Sequence, residues 1–323
     1  MTTTVGPTDD QITTMRRRVL DGISVATLEA ERGAVRARRP RRSPVYAAAV
    51  TAVVAAVVVG GVVLPRAGDE AQAATLLREA AALTVTASDP VVAPGRYLRT
   101  TTEAVYATVG QNRAGDMVTY LVPSTSTVYE PGDPAAEWTL VREDHEPTTF
   151  YGDDAEQVAE ANRVESPETN GTWRARDGAF YGTPAADPAT ADLPRDPQAL
   201  YDHLAASYDG GSNSRDEATW VAITDLLRTG SAPADLRSAL YGAAALVPGI
   251  EIVDEHVTID GVTGVALGRE EPTRSERQDI VIDPSTGELI GERVVQLEAG
   301  YGAPAGTVTA QTSVTRTVVD RAP

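Results

Sequence analysis

Three histidines, His145, His203 and His256, are the side chains best suited to moving a proton near neutral pH. His145 sits in the run Glu143-Asp144-His145-Glu146, which concentrates hard oxygen ligands and an imidazole close to Trp138. Such a run reads as a solvated strand end, with a metal or proton-switch site as the functional alternative. Asp254-Glu255-His256 lies in a segment that alternates like a strand, where only every second residue shares a face, so three ligands would not converge. None of the histidines belongs to H-E-x-x-H, and G-x-S-x-G, G-x-G-x-x-G and EF-hand loops do not occur. Asp209-Gly210-Gly211-Ser212-Asn213 resembles a calcium loop superficially, but the required Gly and terminal Glu are misplaced, and it reads as a flexible link. Asp153-Asp154 and Glu270-Glu271 are adjacent pairs in loops, whereas acid–base work needs carboxylates that converge in space. Trp138, Trp173 and Trp220 are core anchors by type, with a shared ligand groove as the functional alternative.

Two absences narrow the chemistry further. The chain has no cysteine, which removes disulfides, thiol nucleophiles and zinc–thiolate sites. It has no lysine either, which removes a Walker A lysine, a Schiff base and an S-x-x-K nucleophile. No catalytic, cofactor-binding or metal-binding residue is assigned, and the expected protein is not an enzyme.

The element that must position everything else is residues 45–64, VYAAAVTAVVAAVVVGGVVL, in which no charged side chain appears. At about 1.5 Å per residue a helix of this length spans roughly 30 Å, the thickness of a bilayer's hydrocarbon core. Its apolar surface runs all the way round, unlike the single stripe of a surface helix. Arg36, Arg38, Arg39, Arg41 and Arg42 precede it, while Arg66, Asp69 and Glu70 follow. By the positive-inside rule, residues 1–44 are cytoplasmic and 65–323 form an extracytoplasmic domain. Ala71-Gln72-Ala73 has the small-residue form of a cleavage site, but a cleaved leader would carry a shorter apolar core. The net charge of −18 divides into +4 for residues 1–44 and −22 for the rest. So acidic an outer domain is a poor candidate for nucleic acid.

Residues 8–31 read as a short amphipathic helix with Ile12, Met15, Val19, Leu20 and Ile23 on one stripe, too short to own a core. That stripe needs a partner or the membrane surface, or it frays. Residues 32–44 form an Arg/Pro-rich linker. Beyond the span, 71–83 is helical by propensity, with Leu76, Leu77, Ala80 and Leu83 on its buried face. Strands are expected at 96–108, 117–129 and 137–144, with Pro123 marking a sheet edge or a bulge. Residues 145–196 read as an acidic loop region with one strand at 172–176. Three helices follow, near 196–204, over 216–228, and from 233 to 247. Strands return at 250–259, 262–269, 277–283, 288–297 and 307–319. Asp260-Gly261 forms a tight hairpin turn, and Asp283 to Gly287 a turn with Gly at positive φ. The fold class is α+β: one transmembrane helix, then an antiparallel curved sheet with three to four helices packed on it.

These segments resemble an actinobacterial family of single-pass membrane proteins. The likeness rests on Ala73 to Ala81 (AATLLREAA), Pro94 to Leu98 (PGRYL), Asp196 to Leu200 (DPQAL), Leu236 to Tyr241 (LRSALY), Val247 to Gly249 (VPG) and Ile282 to Leu289 (IDPSTGEL). The family is typically encoded beside an extracytoplasmic-function sigma factor, which implies a regulatory role, and it offers no catalytic residues to carry over. The outer domain is also distantly similar to lipoprotein-carrier and envelope-stress sensor folds. Together these imply a non-enzymatic sensor or regulator that binds an envelope ligand outside and a cytoplasmic regulatory protein, such as a sigma factor, inside. The alternative is a membrane-anchored carrier for a lipid or other apolar molecule.

Overall fold

The computed structural model describes residues 69–86, 89–165, 170–180, 190, 192–230, 232–271 and 273–323. The expected span at 45–64 and the stripe from Ile12 to Ile23 lie outside the described residues. Among those described, no helix is long and apolar enough to cross a membrane.

Thr-, Val- and Tyr-rich segments pair into one ten-stranded antiparallel sheet, as β-branched and aromatic residues favour. The strands are β1 (Tyr97–Gln111), β2 (Met117–Pro131), β3 (Glu137–Asp144), β4 (Thr149–Tyr151) and β5 (Gly171–Arg176). The later five are β6 (Ile250–Ile259), β7 (Val262–Glu271), β8 (Glu276–Ile282), β9 (Leu289–Gln296) and β10 (Val308–Val319). Their order is β5-β3-β2-β1-β10-β9-β8-β7-β6, with β4 beside β2. The last strand therefore sits in the interior, paired with β1 on one side and β9 on the other.

Pro123 is on an interior strand, not on an edge. Its carbonyl accepts from His145 N at 2.9 Å, so the side from which its N–H is missing faces the place where β3 ends and β4 has yet to begin. The neighbour breaks where the donor is absent.

Five helices stand among the described residues: α1 (Asp69–Thr86), α2 (Ala155–Glu165), α3 (Pro197–Ala206), α4 (Arg215–Arg228) and α5 (Ala234–Ala244). α1 buries Ala73, Leu77, Ala80 and Thr84, a stripe shifted from the expected one; Leu76 is only partly buried. α2 and β4 fall in the region expected to be loop. The periodic apolar signal of α2 consists mainly of Ala155 and Ala159, which are buried but too small to stand out among its acidic neighbours. It caps the far end of β1 and β2, where Asn162 donates to the Tyr120 hydroxyl at 2.8 Å.

The main core lies between helices α1, α3, α4 and α5 and one face of β6 to β8, where Ile250, Leu267, Ile280 and Ile282 point. Alternate residues of β8 face the other way, so Val281 packs with Val257, Ile259, Ala266 and Ile290 in a second cluster. The β6–β7 hairpin supplies part of that cluster. Its ladder shifts register between Ile252 and Val257, and Asp260 (φ 48°) and Gly261 (φ 83°) form the positive-φ pair of a tight turn. Its tip reaches β10, where Ser313 Oγ donates to the Asp260 carboxylate.

Candidate functional site

One row of paired residues explains where polar chemistry can sit. Register aligns Leu267, Ile280, Glu292, Thr312, Ala104, Ser124 and Asp144 across β7, β8, β9, β10, β1, β2 and β3 on a single face. The row starts apolar under the helices and turns polar at Glu292. α4 lies along this change, with two kinds of side chain turned inward. Trp220, Ile223 and Leu227 enter the core, while Glu217, Thr224 and Arg228 make polar contacts.

The N-terminal end of α4 is fixed by a hydroxyl. Ser214, in extended conformation, accepts from Glu217 N at 3.0 Å, and its hydroxyl donates to Glu271 at 3.2 Å. Glu217 in turn accepts from Asn213 N at 2.7 Å and from the Asn213 amide. Burial would raise the Glu271 carboxyl, but hydrogen bonds from Arg269, Thr273 and Ser214 outweigh it and hold the group below its ordinary value. Glu217, Arg269 and Glu271, with Trp220, Val221, Arg274, Glu276, Gln278 and Val294, line a hollow of about 210 Å³.

Below the middle of α4, Gln278 Nε2 donates to Thr224 Oγ1 at 2.9 Å and to Glu292 Oε1 at 2.8 Å. Trp220 Nε1 donates to the Gln278 carbonyl at 3.1 Å. The seam ends at the C-terminal turn of α4, where Arg228 lies 2.7 Å from Asp225 and 3.8 Å from Glu292 Oε2. A second hollow of about 330 Å³ opens there, lined by Thr102, Tyr106, Asp225, Arg228, Thr229 and Thr312. Glu292 Oε2 and Thr312 Oγ1 are buried next to it without a hydrogen-bond partner. Burial raises the Glu292 carboxyl; the bond from Gln278 and the charge of Arg228 oppose this, and Asp225 adds to it. A buried acceptor left unbonded costs stability, so the end of the seam is prepared to receive a donor.

The residues singled out from the sequence are distributed differently. Trp138 and Trp173 are half-buried diagonal neighbours on β3 and β5, on the same face as the helices. Trp220 is 1% exposed and belongs to the core under α4, with its edge in the first hollow. The run from Glu143 to Glu146 is split among separate partners: Asp144 pairs with Arg142, Glu146 with Arg163, and His145 Nε2 lies 2.9 Å from Thr125 Oγ1. Thr125 donates to Glu103 at 2.7 Å, so a hydroxyl sits between imidazole and carboxylate. In a nucleophilic triad the imidazole occupies that middle place. His203 and His256 are exposed. Among the described residues no three His, Asp or Glu side chains come together as metal ligands.

Glu292, Thr312 and Arg228 were not distinguished by the sequence reading. A signal existed for the first: Gly291-Glu292-Arg293 places opposite charges on both faces of an otherwise apolar strand, which an interior strand tolerates only with partners. Ser214-x-x-Glu217 is likewise a readable helix start.

Fold and seam together define an α+β protein with a polar cleft between a helix layer and an antiparallel sheet. No family model matches the chain, and no curated protein matches it in sequence. Two solved structures show weak likeness. MucB, in a crystal structure with MucA(peri), is 11% identical with a TM-score of 0.22. The alignment covers 77% of this chain and 56% of the MucB chain, so this chain spans little more than half of its length. A DUF1329 family protein from Desulfovibrio piger ATCC 29098 is 11% identical with a TM-score of 0.19, over 77% of this chain and 92% of the other. Neither likeness is close enough to bear on the role of this chain.

Proposed function

We propose that the chain is a non-enzymatic, membrane-anchored sensor or regulator. Residues 1–44 face the cytoplasm, 45–64 cross the membrane, and 65–323 form an extracytoplasmic binding domain with the α4 seam as its receptor site. The observation that carries the binding role is the buried, unbonded pair of acceptors on Glu292 and Thr312 beside an open hollow. Anchoring is supported by the uncharged 45–64 run and its arginine flank. Signalling inward is supported by the stripe of Ile12, Met15, Val19, Leu20 and Ile23, and by the family resemblance with its neighbouring sigma factor. The carrier alternative has less support, because charged side chains stand in both hollows and packed side chains such as Leu77, Leu236 and Leu240 fill the space under the helices.

The test is fractionation followed by protease treatment of intact cells. The chain is expected in the membrane fraction, with residues 65–323 digested from outside and 1–44 protected. Co-purification then compares the natural chain with an Ile12→Asp, Val19→Asp, Leu20→Asp variant, which is expected to lose a cytoplasmic partner. A soluble chain, or a variant that retains every cytoplasmic partner, overturns the proposal.

A further inference from the structure

We propose that the hollow between the C-terminal turn of α4, β1 and β10 binds a primary ammonium group. The inference rests on reading the seam as a binding site and names the chemistry it accepts.

Charge is the first argument. Asp225 and Arg228 line the hollow and Glu292 is buried beside it, so the three together carry a formal charge of −1, which a monocation neutralises. The last turn of a helix carries the negative end of its dipole and attracts cations. Tyr106, 42% exposed, adds an aromatic wall of the kind that accepts an ammonium over its face. The second argument is the unmet hydrogen bonding. Thr312 is 5% exposed and lines the hollow, yet its Oγ1 has no hydrogen-bond partner, and the neighbouring Glu292 Oε2 has only the ion pair with Arg228 at 3.8 Å and no hydrogen bond. A donor entering here satisfies two buried acceptors at once.

The geometry also separates an ammonium from its rivals. Glu292 Oε1 is already taken by Gln278, so the carboxylate offers one oxygen, where a guanidinium fork seeks two. A divalent cation needs six or more oxygens, and here one of the two carboxylates is held by Arg228 at 2.7 Å. An anion would meet Arg228 but would also face the unbonded Glu292 oxygen and the negative end of α4. An ammonium donates three bonds from a compact point charge and meets none of these objections. No side chain of this protein is a primary amine, and the proposed source is another molecule, either a small amine or a lysine side chain of a protein partner.

Calorimetric titration of the full chain in nanodiscs, in phosphate buffer to exclude amine buffers, tests this. Butylamine, butanol and butyrate are the first three probes. Saturable binding of butylamine alone is expected, weakened about tenfold or more by Thr312→Val and by Glu292→Gln. Thr312→Val keeps shape and charge, so it remains informative if Glu292→Gln alters folding. A second arm compares butylamine with acetyl-Ala-Lys-Ala-amide. Tighter binding of the tripeptide assigns the site to a partner's lysine, and binding of butylamine alone assigns it to a free amine. Absence of saturable butylamine binding, or equal binding by butanol, or no weakening in Thr312→Val, overturns the inference. Membrane fractionation and the protease pattern are untouched by that result, so failure here is distinct from failure of the regulatory reading.

Discussion

At the scale of single residues, Asp279 is a carboxylate fully buried on the face opposite the helices. Arg277 Nε lies 2.7 Å from its Oδ1 and Arg293 Nε 2.7 Å from its Oδ2. Gly268 stands directly opposite, because a Cβ there would overlap Asp279 Oδ1. Asp279→Asn removes the charge that two partly buried guanidinium groups share, leaving Arg293 only Asp254 at 3.9 Å, and is expected to cost about 3 kcal/mol, read as a lowered urea midpoint. The alternation of Arg277 and Asp279 on one strand was legible in the sequence. That Arg293 completes the group and Gly268 makes room for it was not, since both depend on pairing between strands. Glu292 and Glu271 make a paired test of opposite sign. The folded-state pKa of Glu292 is raised, so its contribution to stability is present below the unfolded carboxylate pKa and lost as pH rises through the raised value. Glu292→Gln, which mimics the protonated form, is therefore expected to stabilise the ligand-free protein at pH 7 by about 1 kcal/mol, or roughly 2–4 °C in Tm. The gain should vanish near pH 4. Glu271 has a lowered folded-state pKa, so its contribution is present above the unfolded value and lost as pH falls through the folded one. Glu271→Gln is expected to destabilise at pH 7, by about 1–3 kcal/mol, and less as the medium becomes acid. Thermal melts across pH 4 to 8, the two variants beside the natural chain, decide both.

At the scale of elements, α4 carries the site because one helix presents an apolar and a polar stripe to the same sheet. Its start depends on Ser214, which caps Glu217 N and bonds Glu271. Ser214→Ala is expected to cost about 1–2 kcal/mol, measured as a shift in the denaturant midpoint, with the Glu271 region loosened as seen by hydrogen exchange. The expected boundary of this helix, at Asp216, was one residue from the observed Arg215. Most strand boundaries were legible to the same degree, because alternation and Gly- or Pro-bearing turns mark them locally. Asp260-Gly261 and Gly287 take the positive φ values that their turns require. α2 was illegible for a physical reason: a helix that buries alanines against a sheet end gains its stability from close approach, and close approach leaves little trace in a hydropathy pattern. Gly110 shows this, since a Cβ there would overlap Val158 Cγ1 on α2.

At the scale of the whole molecule, the decisive fact is that the last strand closes the middle of the sheet. β10 joins the β1 to β5 half, which carries Trp138 and Trp173, to the β6 to β9 half, which carries four of the five described helices. Ten consecutive residue pairs, from Tyr97–Val319 to Tyr106–Ala310, form that joint. A sheet interrupted there would present two unpaired edges, each open to pairing with another chain. No local pattern in the sequence announces such a joint, because the pairing of residue 97 with residue 319 depends on everything folded between them. Its consequence is cooperativity: the two halves should unfold together although both hydrophobic clusters lie in the half that β6 to β9 form with the helices. In a Trp220→Phe background, indole fluorescence reports the β3–β5 half while far-UV circular dichroism near 222 nm is dominated by the helices of the other. Coincident thermal midpoints are expected for the full chain, and a chain ending at Thr307, which lacks β10, should lose that coincidence or aggregate. Two well-separated transitions in the full chain would mean that the β1–β10 ladder does not couple the halves, and that the hollow spanning β1, β10 and α4 is not held rigidly enough to select a ligand.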